Sequence, residues 1–214
     1  MSFPEAQPPA LLEAVSLSCR RGPVRLFHGL TLTAAGGEAV CLRGPNGSGK
    51  TTLLRCLAGL TRLDAGEVRW SGRPITDEDC AFRESLAFVG HLPAVKDDLT
   101  AEENLDFALK LRGVHVTDAQ RRAALEQVGL GRRLTLPARR LSAGQRRRVG
   151  LARLALDPAR LWLLDEPLTA LDDEGQQRFR DLLAAHLSSG GVCVAATHHP
   201  LAPAGGHARE VWLA

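Results

Sequence analysis

The octapeptide GPNGSGKT, residues 44–51, follows the apolar run EAVCLR and precedes the helical spacing of TTLLRCLAGL. No other feature narrows the fold of this chain as far. A loop of the form G-x-x-x-x-G-K-[ST] between a strand and a helix closes backbone N–H groups around phosphates and sets the positive end of the helix dipole behind them. It also aims the lysine at the β- and γ-phosphates and offers the hydroxyl to magnesium. Gly44, Pro45, Asn46, Gly47, Ser48, Gly49, Lys50, Thr51 and Thr52 are thus the expected phosphate cradle, with Thr51 also a metal ligand. A glycine-rich turn can match such a pattern by chance, but one set between a strand and a helix rarely does.

A phosphate loop needs an acid for the metal and a group that activates water. LWLLDEP, residues 161–167, supplies adjacent carboxylates. Asp165, where a buried strand ends, is suited to orient magnesium, and Glu166 is suited to polarise the attacking water. Taken alone, two acids at a strand end are commonly just solvated. VCVAATHHP ends a second apolar strand on His198, in position to sense the γ-phosphate. A metal site made of His198 and His199 is disfavoured, because neighbours on a strand point to opposite faces.

The stretch RRLSAGQRRRVGLARL, residues 139–154, carries six arginines and by charge alone reads as a nucleic-acid footprint. Two observations weaken that reading. Net charge is only +3, and three of the 27 basic residues are lysines, so a preference for arginine runs through the whole chain. Ser142 and Gln145 also form an S-x-x-Q capping box, with Leu141 and Val149 flanking it like a hydrophobic staple. The segment therefore reads as a helix start facing an anion, its later arginines as the solvated face of that helix.

Around these motifs, LLEAVSLS, VRLF, LTLT and EAVCL, and then EVRW with RPI about Ser71-Gly72, predict a meander of β-strands. LAFVG, LWLLD and VCVAAT predict buried strands, the last two separated by an amphipathic helix around FRDLLAAHL, which is the pattern of a parallel sheet. Capping boxes at Thr100/Glu103 and Thr117/Gln120 open a mostly helical insert over residues 100–130. Three prolines in the first ten residues predict a loose lead-in. Five cysteines without a CxxC pair fit a reduced compartment. The sequence shows no apolar run of the roughly 18 residues that a membrane-spanning helix needs, and MSFPEAQPPA lacks the charged and apolar regions of a signal peptide, so work at a membrane is expected to require a partner as anchor.

Together GPNGSGKT, LSAGQ, LWLLDEP, LTALD and ATHHP resemble, in order and spacing, the nucleotide-binding subunit of the ATP-binding cassette (ABC) family, whose signature motif is LSAGQ here. The resemblance covers nearly the whole chain. It implies an α/β fold, a P-loop NTPase of the ABC type with a mixed or parallel sheet core, an antiparallel β subdomain and a helical subdomain at about 91–156, all in one domain over 1–214. It implies an ATPase using ATP and Mg2+, with Glu166 and His198 catalytic and Thr51, Asp165 and His91 at the metal. It implies a homodimer in which Ser142, Ala143, Gly144 and Gln145 of one subunit face the γ-phosphate held by the other. The anion is then a nucleotide phosphate, and no nucleic acid is expected. Asp165 follows Lys50 by 115 residues with no heptad insertion, which argues against ATPases with long coiled coils, and a single cassette disfavours tandem translation factors.

LTRLDAGEVRWSGRPI, the GHLPAVKDDLTAEENL region, LSAGQRRRVGLARL and LWLLDEPLTALD resemble more narrowly the ATP-binding subunits of haem exporters in bacterial cytochrome c maturation. This implies a peripheral translocase subunit at the cytoplasmic face of the inner membrane, docked on a transmembrane permease subunit and linked indirectly to haem-handling maturation proteins. Its hydrolysis would export haem or release a haem-loaded chaperone. The ATPase of another small exporter, or a soluble cassette protein acting on DNA or ribosomes, are the alternative readings. Two positions depart from the common cassette. His91 stands where a glutamine is usual, as in the maturation family, whose glutamine one step later is Leu92 here. With no tyrosine in the chain, the adenine platform falls to Arg20 or Arg21 of CRRG, since a guanidinium can stack on a base.

Overall fold

The computed structural model describes residues 10–76, 78–201 and 208–213, so the expected lead-in lies, but for Ala10, outside them. Two sheets carry the chain. β1 (Ala10–Arg21), β2 (Val24–Ala35), β4 (Ala65–Trp70) and β5 (Arg73–Pro74) form an antiparallel sheet in the order β2-β1-β4-β5. β3 (Ala39–Arg43), β6 (Leu86–Val89), β7 (Leu161–Asp165), β8 (Val192–Ala196) and β9 (Ala208–Trp212) form a parallel sheet in the order β6-β7-β8-β3-β9. The runs VRLF and LTLT belong to one strand rather than two. Gly29, at φ +62°, takes up the bulge between them, a backbone conformation that favours glycine. RPI shortens to two residues, with Pro74 on the sheet edge where its missing N–H leaves no ladder bond unmade.

β3, β7 and β8 are buried on both faces, which is why they read as continuous apolar runs. Their side chains alternate between two cores. Val40, Leu42, Leu161, Leu163, Val192 and Val194 pack toward the antiparallel sheet and α1 (Lys50–Leu57). Cys41, Trp162, Leu164, Cys193 and Ala195 face α6 (Asp173–Ser188) and a helical layer. That layer holds α3 (Ala101–Leu111), α4 (Asp118–Gln127) and α5 (Ala143–Ala152), with short 3-10 turns at Ala138–Arg140 and Arg153–Ala155. All three capping boxes close as read, at Thr100/Glu103, Thr117/Gln120 and Ser142/Gln145. The staple does not. With Ser142 as the cap, the fourth helical residue is Arg146, and Leu141 and Val149 are simply both buried in the same core. α2 (Cys80–Ser85), capped by Asp79, and the edge strand β9 carried no signal that the sequence reading used.

The register sets the site. Asp165 pairs with Ala196, and Ala196 with Leu42, so the C-terminal ends of β7, β8 and β3 come level along one edge. In open α/β sheets that edge is where ligands bind.

Candidate functional site

The loop after β3 delivers an uncapped helix. Asp79, Thr100, Thr117, Ser142 and Asp172 accept hydrogen bonds from the first turns of the other five α-helices, whereas α1 has no side-chain cap and no acid in its first turn. Its free N–H groups and dipole are therefore open to an anion. Gly44, at φ +140°, allows the turn, and a Cβ there would lie 2.4 Å from the Leu213 carbonyl oxygen. Lys50 is buried, and its Nζ donates to the carbonyls of Gly44 (2.7 Å) and Pro45 (2.9 Å). Among the described residues it has no carboxylate partner. The Ser48 Oγ beside it is buried without a partner. A buried cation and an orphaned hydroxyl at an uncapped helix start fit a phosphate.

Across the cavity, Thr51 Oγ1 donates to Asp165 Oδ2 at 2.9 Å, and Asp165 is 3% exposed at the end of β7. Among the described residues no three His, Cys, Asp or Glu cluster as a metal cage. Two converging oxygens next to a phosphate cradle suit magnesium, which takes one or two protein oxygens and keeps phosphates and water. The next residue, Glu166, has φ +51°, and its N–H donates to Ala196 O at 2.8 Å. Its Oε2 accepts from Thr169 Oγ1 at 3.3 Å, and its Oε1 lies 3.6 Å from His198 Nε2. His198 Nε2 is also 3.2 Å from Asn46 Oδ1. Arg43 brackets this histidine, its Nη1 donating to the carbonyls of Thr197 (2.6 Å) and His199 (3.1 Å) on either side.

Asn46, Gly47, Gly49, Lys50, Thr51, Thr52, His91, Asp165, Glu166 and His198 line one cavity of about 340 Å³. Gly44, Pro45 and Ser48 are not in its lining; Gly44 backs onto Leu213. Arg21 and Leu26 complete the wall, so of the two arginines proposed for the base, Arg21 is at the site. Arg20 turns into a separate hollow with Phe27 and His28. Ser142, Ala143, Gly144 and Gln145 lie outside the cavity, with Ser142 and Ala143 exposed. A Cβ on Gly144 would sit 2.3 Å from the Ala170 carbonyl oxygen, so this helix start packs directly on the LTALD loop.

The arginines that follow are not a solvated face, and that expectation is corrected. Arg147 is 4% exposed and donates to four backbone carbonyls. Arg148 pairs with Asp172, Arg146 with Asp97 at 2.8 Å, and Arg153 donates to Phe88 O at 2.9 Å. Charge in a sequence does not say where a long side chain ends, and here the carbonyl acceptors are supplied by segments far along the chain. A groove of about 470 Å³ that no sequence motif marks lies between the loop after β6 and α3, edged by the exposed Leu92 and Leu111 and by Phe107, over whose ring Lys96 sits at 4.7 Å. Burial pushes the Cys41 thiol up to about 11, which leaves it a packing residue rather than a nucleophile. Among the described residues no helix is long and apolar enough to cross a membrane.

Comparison with known proteins gives consistent matches. The ABC transporter family profile matches residues 27–169. The cytochrome c biogenesis ATP-binding export protein CcmA of Cupriavidus pinatubonensis is 46% identical over 94% of this chain and 88% of its own length. The protein of the same name from Aromatoleum aromaticum is 48% identical over 88% of each. Among solved structures, a Pyrococcus furiosus protein described as an ABC transporter ATP-binding protein superposes with a TM-score of 0.81 at 28% identity, covering 94% of this chain and 96% of that one.

Proposed function

Since the chain belongs to the ABC transporter family, we infer that it is the ATP-hydrolysing subunit of a membrane transporter for c-type cytochrome biogenesis, exporting haem or releasing a haem-loaded chaperone. The observation that carries the reading is the single cavity in which the phosphate loop, Asp165, Glu166 and His198 converge, in a chain 46% identical to a CcmA protein over nearly its whole length. The α1 N–H groups and Lys50 bind the phosphates of ATP. Thr51 and Asp165, with His91 lining the same cavity, would hold Mg2+, which when bound would supply neutralisation of the phosphate charge. Glu166 accepts the proton of the attacking water, and His198, held between Asn46 and Glu166, meets the γ-phosphate. The exposed start of α5, Ser142–Gln145, closes the site of a second copy through the free N–H groups of Ala143 and Gly144.

One domain over 1–214, with its helical part at about 91–156, is the proposed extent. The groove edged by Leu92, Phe107 and Leu111 takes the permease subunit at the cytoplasmic face of the inner membrane, and haem-handling proteins are met only through that complex. Glu166→Gln preserves shape while removing the base, so turnover should fall by roughly 10² to 10⁴ with ATP still bound. In cells, this variant or deletion of the chain should abolish haem-stained c-type cytochromes. Normal cytochrome levels in either strain would refute the assignment.

A further inference from the structure

Arg147 reaches two separate segments at once. Its Nη1 donates to the carbonyls of Gly90 (2.7 Å) and His91 (3.1 Å), and its Nη2 to those of Asp165 (2.5 Å) and Glu166 (2.6 Å). These four oxygens belong to the backbone that presents His91, Asp165 and Glu166 to the cavity. The planar fork of a guanidinium can satisfy two carbonyls on each side; an ammonium, a single point with three donors, cannot span them. The position at Glu166 also needs support. A non-glycine residue at φ +51° is seldom held there unless its surroundings over-determine it. Around Glu166 they do so from two sides, through the Ala196 carbonyl on its N–H and Arg147 on its own carbonyl.

Arg147 lies on α5, which Ser142 caps and whose first turn begins at Ala143. We propose that Arg147 is a positioning residue, which holds Glu166 and the His91 loop in working geometry and ties both to the helix whose exposed start serves the ATP of the other subunit. The proposal rests on the reading of Glu166 as the base. Burial acts against the Arg147 charge and holds its pKa below the usual arginine value, and the nearby carboxylates of Asp165 and Glu166 offset only part of that. A movement of α5 when a second copy docks would, by the same four bonds, move the carboxylate that activates water.

The test uses the full-length protein with Arg147→Gln and Arg147→Lys, each alone and combined with Glu166→Gln. Three readouts are needed: cooperative thermal melting, affinity for trinitrophenyl-ATP without magnesium, and kcat and KM for magnesium-ATP. Since a displacement of about 1 Å at a reacting group can lower a rate by as much as 10²-fold, Arg147→Gln should lower kcat by at least tenfold with affinity and KM within about threefold. Arg147→Lys should recover part of that loss. In the Glu166→Gln background, the further loss should be under about threefold, because the group being positioned is already gone. Equal losses in both backgrounds would overturn the proposal, as would affinity falling in step with kcat or unchanged kcat in folded variants. Melting without cooperativity in both Arg147 variants would assign the residue to folding alone and overturn it as well. Wild-type turnover in Glu166→Gln would instead remove the reading beneath it, a result visible without any change at Arg147.

Discussion

Two glycines of one helix should respond to the same substitution with opposite signs. Gly144 and Gly150 both lie in α5, and neither has a positive φ, so backbone strain does not separate them. An added Cβ at Gly150 meets nothing within 4 Å, whereas at Gly144 it meets the Ala170 carbonyl oxygen at 2.3 Å. That is about 1 Å or more inside ordinary contact. The displacement cannot be absorbed by a flexible side chain, since the clash is with backbone. One side is held by the Ser142/Gln145 capping box, the other by the Arg148–Asp172 pair.

Overpacking of this kind destabilises by about 1–3 kcal/mol, and the preference of a helix for alanine over glycine offsets up to about 1 kcal/mol. A backbone clash this deep belongs in the upper part of that range, about 2–3 kcal/mol, so Gly144→Ala should lose about 1–2 kcal/mol net, lowering Tm by roughly 2–8 °C for a domain of this size. Gly150→Ala keeps only the favourable part, so about 0.5–1 kcal/mol should appear as a Tm higher by roughly 1–4 °C. Thermal unfolding of the purified chain without nucleotide, followed by circular dichroism, measures both. A Gly144→Ala protein that melts at or above wild type would refute the argument that the signature helix start packs on the Ala170 backbone.

Three other outcomes are expected. Lys50→Ala and Ser142→Arg proteins, each inactive, should regain up to about a quarter of wild-type turnover when mixed, as random pairing leaves one intact composite site in each heterodimer and one site suffices; no recovery despite crosslinked heterodimers would refute either the shared site or the independence of the two sites. Asp172 is held below the usual carboxylate range by the Gly175 N–H and then by Arg148, so its contribution is present above pH ~3.9 and is lost as pH falls through the lower folded value. The Tm gap between wild type and Asp172→Asn should accordingly be full near neutrality and shrink in acid; a gap unchanged down to pH 3 would contradict this. Because the cavity wall carries Arg21 and Leu26 and no Phe, Tyr or Trp ring to stack a base, GTP should compete with ATP to within about tenfold, or ~1.4 kcal/mol; strict selectivity for ATP in competition binding would show a base contact not found on this wall.

The features legible in the sequence are those whose partners lie a few residues away. A capping box is a bond between residues three apart, and so Thr100, Thr117 and Ser142 marked three helix starts correctly before any fold was known. The phosphate loop is similar: its glycines lie in the one turn between β3 and α1, its lysine and hydroxyl are the first two residues of α1, and spacing alone specifies them. Uninterrupted apolar runs likewise identified β7 and β8 as doubly buried, because a strand covered on both faces has no polar alternation to lose.

Residues acting across the fold left no such trace. Arg43 and Arg147 read as ordinary charges, yet one brackets His198 from a position more than 150 residues away and the other bonds carbonyls 57 and 18 residues distant. Arg20 and Arg21 are neighbours in a strand, and only the pleat, sending them to opposite faces, decides that Arg21 meets the nucleotide cavity. The sequence by itself carried the local chemistry, a loop suited to a phosphate and two acids suited to serve it. Tertiary structure decided the assembly, because only the parallel register of β7, β8 and β3 brings Asp165, the residues after Ala196 and the phosphate loop to one edge, and because hydrogen bonds to backbone carbonyls carry no signature in the residues that provide them.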